Sequence, residues 1–171
     1  IAFTVLDPWW KHPGFTGAVA DVIRGDAKAW GEARFREAEM IFSAHSIPLA
    51  ISKSGPYVAQ FEETAALVAK DLGRAKWSTA FQSSASDATQ PWTGPDVNDA
   101  IRAAAARGVK DVMVSPIGFL VDHVEVLYDL DIEAKQTAAE CGVSFIRSGT
   151  VGGHAKFIGM LADLVAERAG R

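Results

Sequence analysis

The sequence has a single cysteine, no long hydrophobic run and no excess of basic residues, and each absence excludes a class of protein. Cys141 alone cannot form an intramolecular disulfide, a four-cysteine iron–sulfur cluster or a cysteine zinc site. No apolar run approaches the ~20 residues of a membrane-spanning helix. The net charge is -4, whereas a nucleic-acid-binding surface is basic. We therefore expect no membrane span, no nucleic-acid partner and a location in the reducing cytoplasm.

Several short motifs of nucleotide-binding proteins and hydrolases are also missing. The sequence contains no P-loop, no HExxH and no nucleophile elbow. The glycine-rich stretch 149–153 lies between a predicted strand and a predicted helix, but it is not GxGxxG. It also follows the last predicted strand rather than the first, so dinucleotide binding is only weakly indicated.

From residue 39 onward, short apolar runs alternate with segments of helical length. Such alternation is typical of a parallel sheet covered by helices on both faces. We predict an α/β protein with a three-layer α/β/α fold, of Rossmann-like or flavodoxin-like type, around a mainly four-stranded parallel sheet. The predicted strands span residues 39–44, 77–82, 111–115 and 143–146, and the predicted helices span residues 57–72, 95–107, 121–141 and 154–169.

Residues 1–38 precede this unit and are predicted to hold an extended segment and a lead-in helix over 14–24. Together with the α/β unit at 39–171 they form a single domain, which suits a chain of 171 residues. The chain begins at Ile1 without a methionine, and an apolar strand over residues 1–6 would need a partner. We therefore expect that further residues preceded Ile1.

A histidine lies where the first of these strands ends. Met40, Ile41 and Phe42 form a buried strand, His45 follows among small residues, and Pro48 ends the strand. Ligands of parallel α/β sheets bind at the carboxyl ends of the strands. Histidine suits proton transfer near neutral pH and metal binding. A hydrogen-bonded histidine that merely closes the strand is an equally acceptable interpretation.

The helix after the third strand carries an unusual row of acidic residues. Glu125, Asp129 and Glu133 are four residues apart, so they lie on one stripe of a helix, and the first basic residue of this helix is Lys135. The row indicates either a hydrated path for a cation or a solvated face, and Glu125 also suits a helix start. The opposite, core-facing side is predicted to comprise Val124, Leu127, Leu130, Ala134 and Ala138.

The remaining histidines and two loop aromatics have weaker patterns. His12, His123 and His154 lie in a loop or near predicted helix starts, and we interpret them as capping or surface residues. Trp92 and Phe119 lie in loops at the same predicted edge as His45 and Glu125. They either pack their loops or contact a large flat ligand.

Five segments of the sequence together form a series of motifs. They are Phe42-Ser43-Ala44-His45-Ser46-Ile47-Pro48, Gly55-Pro56-Tyr57-Val58-Ala59-Gln60, Phe81-Gln82-Ser83, Pro91-Trp92-Thr93-Gly94-Pro95-Asp96-Val97 and the block from Pro116 to Asp131. In order and spacing they resemble motifs of the ferrochelatase family, which inserts ferrous iron into a porphyrin in heme biosynthesis. They are most similar to the coproporphyrin-type enzymes of Gram-positive bacteria, actinobacteria especially.

The resemblance implies a chelatase half-domain and a role for each matching residue. His45 corresponds to the active-site histidine, which takes pyrrole protons or ligates iron, and Glu125 to its partner acid. The metal ligands that the resemblance implies are His45, Glu125, Asp129 and Glu133. Asp129 and Glu133 correspond to an acidic ladder that guides or holds a second divalent cation. Fe2+ and coproporphyrin III or protoporphyrin IX are then substrates, and no resident cofactor or iron–sulfur cluster is required. The further porphyrin contacts implied are Ser43, Ser46, Trp92 and Phe119.

The chain resembles only the second half of the family, whose members are about twice as long and clamp the macrocycle between two similar halves. The missing wall is then a separate first half or a second copy of the chain. Short cobalt or nickel chelatases of sirohydrochlorin pair two half-length chains, so a homodimeric cobalt or nickel tetrapyrrole chelatase is one alternative. A tetrapyrrole-binding half without catalysis and a flavodoxin-like domain of unrelated function are the others.

Overall fold

Four parallel strands form the centre of the computed structural model, which describes residues 3–85 and 90–170. The strands are β1 (Glu39–His45), β2 (Ser78–Gln82), β3 (Asp111–Ser115) and β4 (Ser144–Arg147). The helices are α1 (Pro13–Ala27), α2 (Glu32–Glu37), α3 (Leu49–Ser54), α4 (Tyr57–Asp71), α5 (Val97–Ala106), α6 (Val124–Val126), a π-helical segment (Leu127–Ala134), α7 (Lys135–Glu140) and α8 (Ala155–Arg168).

The order of the strands in the sheet is β2-β1-β3-β4, and every pair is parallel. The predicted fold class is therefore confirmed. The direction of strand addition reverses at β1, since β2 lies on one side of it and β3 on the other. This places a switch point between β1 and β3, where open α/β sheets form a ligand-binding crevice at the carboxyl edge.

Helices cover both faces of the sheet and create two buried apolar clusters. One cluster packs α1, α4 and α8 against side chains such as Met40 and Phe42. The other packs α5, the π-helical segment and α7 against side chains such as Ile41 and Val114. Because α1 buries Phe15, Val19 and Ile23 in the first cluster, the lead-in helix belongs to the same core as the sheet. Each fully buried side chain of this size contributes about 1.5–3 kcal/mol.

Helices α5 and α3 differ from the predictions. The sequence places Pro95 at the first turn of a helix, but α5 begins at Val97. Asp96 is its N-cap, and its carboxylate accepts a hydrogen bond from the Asn98 amide at 2.8 Å. Capping by a carboxylate satisfies an amide that the first helical turn leaves free. The short helix α3, which directly follows Pro48, was not predicted.

Among the helices, the one after β3 departs furthest from its prediction, which was a regular α-helix over residues 121–141. It begins at Val124, and Leu127–Ala134 is a π-helix. Buried residues recur at intervals of four, namely Val126, Leu130, Ala134 and Ala138. Val124 and Leu127, predicted as core, are 77% and 42% exposed. The π segment holds more residues in each turn than an α-helix, so it shifts the buried stripe relative to the α-helical expectation.

The N-terminal segment has no regular secondary structure over residues 3–8, and Phe3 and Val5 are exposed. Residues 1 and 2 of the expected extended segment lie outside the described residues, as do residues 86–89 between β2 and α5. Within the described ranges, no helix combines the length and apolar character needed to cross a membrane.

Candidate active site

The candidate site lies at the carboxyl edge of β1 and β3, next to the switch point of the sheet. His45 is the last residue of β1 and faces Gln82 of β2 in the strand register. The loop after β3 returns to β1, because the Gly118 amide donates to the Ser43 carbonyl at 3.0 Å. The two predicted candidates, His45 and Glu125, therefore follow adjacent strands and meet in space.

The backbone fixes which ring nitrogen of His45 carries a proton. Nδ1 lies 2.5 Å from the carbonyl oxygen of Ser46. A carbonyl can only accept, so Nδ1 must donate, and the neutral ring keeps its lone pair on Nε2. The Nε2 atom lies 3.7 Å from Oε2 of Glu125, and the His45 side chain is 35% exposed. The imidazole thus presents a basic, partly solvated nitrogen beside a carboxylate.

Glu125 lies between two histidines. Its Oε2 atom is 3.9 Å from Nδ1 of His123 as well as 3.7 Å from His45. Both separations exceed a hydrogen bond, so the carboxylate attracts either ring only when that ring is protonated. Phe119 packs against both histidines, with ring centroids 6.3 Å from His45 and 5.1 Å from His123.

The structure shows no side-chain capping by His123, which leaves the surface alternative, and it confirms capping by the other two histidines. His123 occupies the N-cap position of α6 but makes no capping hydrogen bond with its side chain; it lies beside Glu125 instead. Its position two residues before Glu125 was the available sequence signal. His12 and His154 cap α1 and α8 by accepting from backbone amides at 3.0 Å and 3.3 Å, as predicted.

Asp129 belongs to a hydrogen-bonded chain of polar side chains. The buried Ser43 hydroxyl donates to Oε1 of Gln82 at 3.0 Å, which turns the amide nitrogen of Gln82 toward Asp129 at 3.3 Å. The Ser83 hydroxyl donates to the same Asp129 oxygen. One oxygen of Asp129 is therefore held by two donors from the end of β2.

Ser46 has a similar supporting position. Its hydroxyl donates to the Thr93 carbonyl at 2.8 Å, and the Thr93 hydroxyl accepts from the Ile47 amide at 3.0 Å. Ser43 and Ser46 are 0% and 1% exposed. Both hydroxyls are buried and hydrogen-bonded within the chain, and a direct contact of these two serines with a ligand stays a prediction. The His45 ring is contacted by the backbone carbonyl of Ser46 rather than by its hydroxyl.

The other predicted contacts are partly exposed at this edge. Trp92 pairs through its backbone with Pro48, just after His45, and Phe119 packs on His45 itself. Both are half-buried. Their role as contacts for a flat ligand stays a prediction.

The four predicted metal ligands do not form one cluster. His45 and Glu125 are neighbours, Asp129 is held by Gln82 and Ser83, and Glu133 lines a separate shallow pocket with Arg102 of α5. Over residues 3–85 and 90–170, no group of three or more His, Cys, Asp and Glu side chains is arranged to hold a metal ion. A cation bound by the acidic ladder stays a prediction.

An aromatic cavity of about 360 Å³ opens on the other side of β1. Its wall includes Trp9, Trp10, Phe61 and Tyr57. The Tyr57 hydroxyl donates to the His45 carbonyl at 2.9 Å. Burial raises the pKa of Tyr57, so this tyrosine remains a neutral donor that holds the end of β1.

Gly118 permits the close approach of the β3 loop to β1. A Cβ atom at this position would lie 2.6 Å from the Ala44 Cβ atom and 2.7 Å from its Cα atom. We expect Gly118→Ala to lower the free energy of unfolding by about 1–3 kcal/mol, because neither backbone can give way freely. Urea denaturation would measure this loss. The control is Gly55→Ala, where the nearest atom is 3.9 Å away; equal losses for the two variants would contradict the packing argument.

Comparison with known proteins identifies the family. The sequence model described as Ferrochelatase matches residues 1–169. The chain belongs to the ferrochelatase family. It is 39% identical to a ferrochelatase of Thermus thermophilus over 166 residues, covering 96% of this chain and 51% of the relative. It is 40% identical to a coproporphyrin III ferrochelatase of Propionibacterium freudenreichii over 169 residues, covering 94% of this chain and 47% of the relative. The resemblance to this family is confirmed.

This ferrochelatase-family chain spans about half the length of the curated relatives that it matches. Two solved structures share its fold at low sequence identity. A cobalamin biosynthesis CbiX protein of Marinobacter aquaeolei aligns with a TM-score of 0.51 at 20% identity, covering 78% of this chain and 98% of that one. A multi-domain Deinococcus radiodurans protein similar to chelatases aligns with a TM-score of 0.62 at 18% identity, covering 91% of this chain and 30% of that one.

Proposed function

We propose that this chain is the catalytic half of a ferrochelatase, which inserts Fe2+ into coproporphyrin III or protoporphyrin IX in heme biosynthesis. The observation that carries the proposal is the pair formed by Nε2 of His45 and Oε2 of Glu125, 3.7 Å apart at the open carboxyl edge. Membership of the ferrochelatase family supports the reaction.

Metal insertion requires the removal of two pyrrole protons and the transfer of a divalent ion out of water. His45 can accept a proton on Nε2, since Nδ1 is committed to the Ser46 carbonyl. Glu125 then stabilises the imidazolium and offers a carboxylate as the next acceptor. Ligation of iron by His45 would use the same lone pair, so His45 serves as base or as ligand at any one moment, never both.

The acidic stripe is the proposed route for the ion. Glu125 lies at the site, Asp129 lies beside the end of β2, and Glu133 lies one step further along the same helix. Carboxylates spaced in this way offer successive oxygen ligands to a partly hydrated divalent cation.

Exposed apolar side chains around Glu125 suit a large flat substrate or a covering wall. Val121, Val124 and Tyr128 are 57%, 77% and 51% exposed, and Ile51 of α3 is 59% exposed. A cluster of exposed apolar residues beside polar groups is typical of a binding surface. We propose that the porphyrin lies here, in contact with Trp92 and Phe119.

In the described part of the chain, His45 and Glu125 are 35% and 52% exposed, so a second wall that covers them is part of the proposal. It is supplied by the other half of a ferrochelatase or by a second copy of this chain. One alternative is a cobalt or nickel tetrapyrrole chelatase formed by two half-length chains. It is favoured by the structural match to the CbiX protein, because the aligned part of this chain covers that protein almost completely.

The test is insertion of Zn2+, and of Fe2+ without oxygen, into coproporphyrin III by the purified chain. Porphyrin fluorescence would be followed for the chain alone, and for the chain mixed with the first half of the Thermus thermophilus relative. We expect insertion with iron or zinc preferred over cobalt and nickel. Preference for cobalt or nickel would support the alternative. If the chain binds porphyrin but inserts no metal, both alone and when mixed with the first half, this result would contradict a catalytic half and indicate a binding module.

A further inference from the structure

Arg147, the last residue of β4, holds two carboxylates of the segment that carries Glu125. Its Nε and Nη2 atoms donate to the two oxygens of Asp131 at 2.8 Å and 2.9 Å, and its Nη1 atom donates to Asp122 at 3.1 Å. The Arg147 side chain is only 13% exposed. Its hydrogen bonds to Asp131 and the nearby charge of Asp122 raise the pKa of Arg147 despite partial burial, so the guanidinium stays charged.

The two carboxylates flank the candidate catalytic residues. Asp122 lies at the end of the irregular loop after β3, directly before His123, and Asp131 lies within the π-helical segment. Glu125 is between them. A bidentate arginine–carboxylate pair fixes orientation as well as distance. One side chain therefore ties both ends of residues 122–131 to the edge of the sheet.

The connection that follows β4 supports the same loop by packing. A Cβ atom at Gly152 would lie 2.6 Å from Cγ1 of Val121 and 2.7 Å from the Leu120 carbonyl oxygen. The loop before His123 thus rests directly on backbone at Gly152. Together, Arg147 and Gly152 show that β4 and its connection form the base under this loop.

We propose that Arg147 is a positioning residue that holds Glu125 and His123 against His45, an inference that rests on the proposed chelatase function of this site. The geometry it maintains is the separation of Glu125 from the two rings. A misplacement of about 1 Å of a catalytic group can cost about a hundredfold in rate. Because Arg147 is largely buried, its removal also lowers stability by leaving two carboxylates without their partner, so the test must separate that loss from the change in geometry.

The test compares Arg147→Lys and Arg147→Gln with the wild-type chain in two measurements. The first is hydrogen exchange of the peptide covering residues 118–134, which requires no activity. The second is zinc insertion into coproporphyrin III, in the mixture with the first half if the chain needs it. The control is Arg34→Lys, which alters an arginine–carboxylate pair with Asp111 at the opposite edge of the sheet.

We expect Arg147→Gln to raise exchange in residues 118–134 about tenfold and to lower kcat about tenfold or more, with KM for the porphyrin unchanged. Arg147→Lys should show smaller changes in exchange and in kcat than Arg147→Gln, because lysine keeps the positive charge but cannot form the bidentate pair with a carboxylate. In a Glu125→Gln background, Arg147→Gln should cause no further loss of rate, since the group that it positions is already gone.

Unchanged exchange in residues 118–134 of Arg147→Gln would overturn the proposal. A loss of kcat in Arg147→Lys that is no larger than the loss in Arg34→Lys would also overturn it. Increased exchange with unchanged kcat would also overturn it. If the wild-type protein inserts no metal, that result counts against the proposed function, whereas the exchange measurement still decides whether Arg147 holds the segment.

Discussion

Replacing His45 by alanine is expected to abolish most metal insertion, lowering kcat by about 10²–10⁴-fold. The reason is that Nε2 of His45 is the nitrogen that the Ser46 carbonyl leaves free, and it lies beside Glu125. Zinc insertion into coproporphyrin III by the wild type and the variant would measure the effect. The affinity for porphyrin should change little, because the imidazole of His45 is small compared with the exposed apolar surface proposed to bind the porphyrin.

The matched control for His45→Ala is His154→Ala. His154 caps α8 through Nδ1 and contacts Asp21 rather than the site. Its removal should cost about 1 kcal/mol of stability, as loss of a cap does, and leave kcat unchanged. A His45→Ala chain that folds normally and retains wild-type kcat would refute the assignment of His45 as the catalytic base or ligand.

The largest loss of stability is expected for Phe42→Ala. Phe42 lies in the middle of β1, which is an inner strand of the sheet between β2 and β3. Its side chain is fully buried, and its ring packs against Trp77 at a centroid distance of 5.9 Å. Truncation of a buried phenylalanine costs about 3–5 kcal/mol, since a cavity replaces its contacts. Urea denaturation followed by circular dichroism would measure the free energy of unfolding.

Phe3→Ala provides the comparison for this loss, because Phe3 is 87% exposed and the same atoms are removed. Its effect should lie within about 0.5 kcal/mol of zero, as for most surface substitutions. Similar losses for both variants would show that the core around β1 is not packed as described.

The strands and the edge that carries the site could be predicted from sequence because their signals are local. Apolar runs ended by Pro48 or Pro116 marked β1 and β3. The position of His45 directly after such a run placed it at the carboxyl edge. Short-range patterns also gave the capping roles of His12 and His154.

The π-helical segment could not be predicted from the same patterns. The spacing of Leu127, Leu130 and Ala134 fits an α-helix, and α-helices are the far commoner element. The structure buries Val126 and leaves Val124 exposed, an outcome of packing against the sheet that local spacing does not encode. The mistaken core residues therefore follow from one wrong helical period.

Contacts between distant residues were missed for a different reason. The acidic helix looked uncompensated because its own sequence has no basic residue before Lys135, yet Arg147 of β4 reaches Asp122 and Asp131. Likewise, the burial of the Ser43 and Ser46 hydroxyls depends on Gln82 and Thr93, which lie on other strands and loops. Only the assembled sheet brings these partners together.

The π-helical segment also restricts how the length of this helix can vary. A π turn holds a residue more than an α turn, and α7 beyond it is anchored by buried Ala138. If the segment keeps its π form, deleting one residue from Leu127–Ala134 would turn α6 about the helix axis by the angle of one residue, roughly 80–100°. Glu125 would then leave His45. Surface loops of this fold can gain or lose residues, whereas the helix that carries Glu125 must keep its number of residues for Glu125 to remain beside His45.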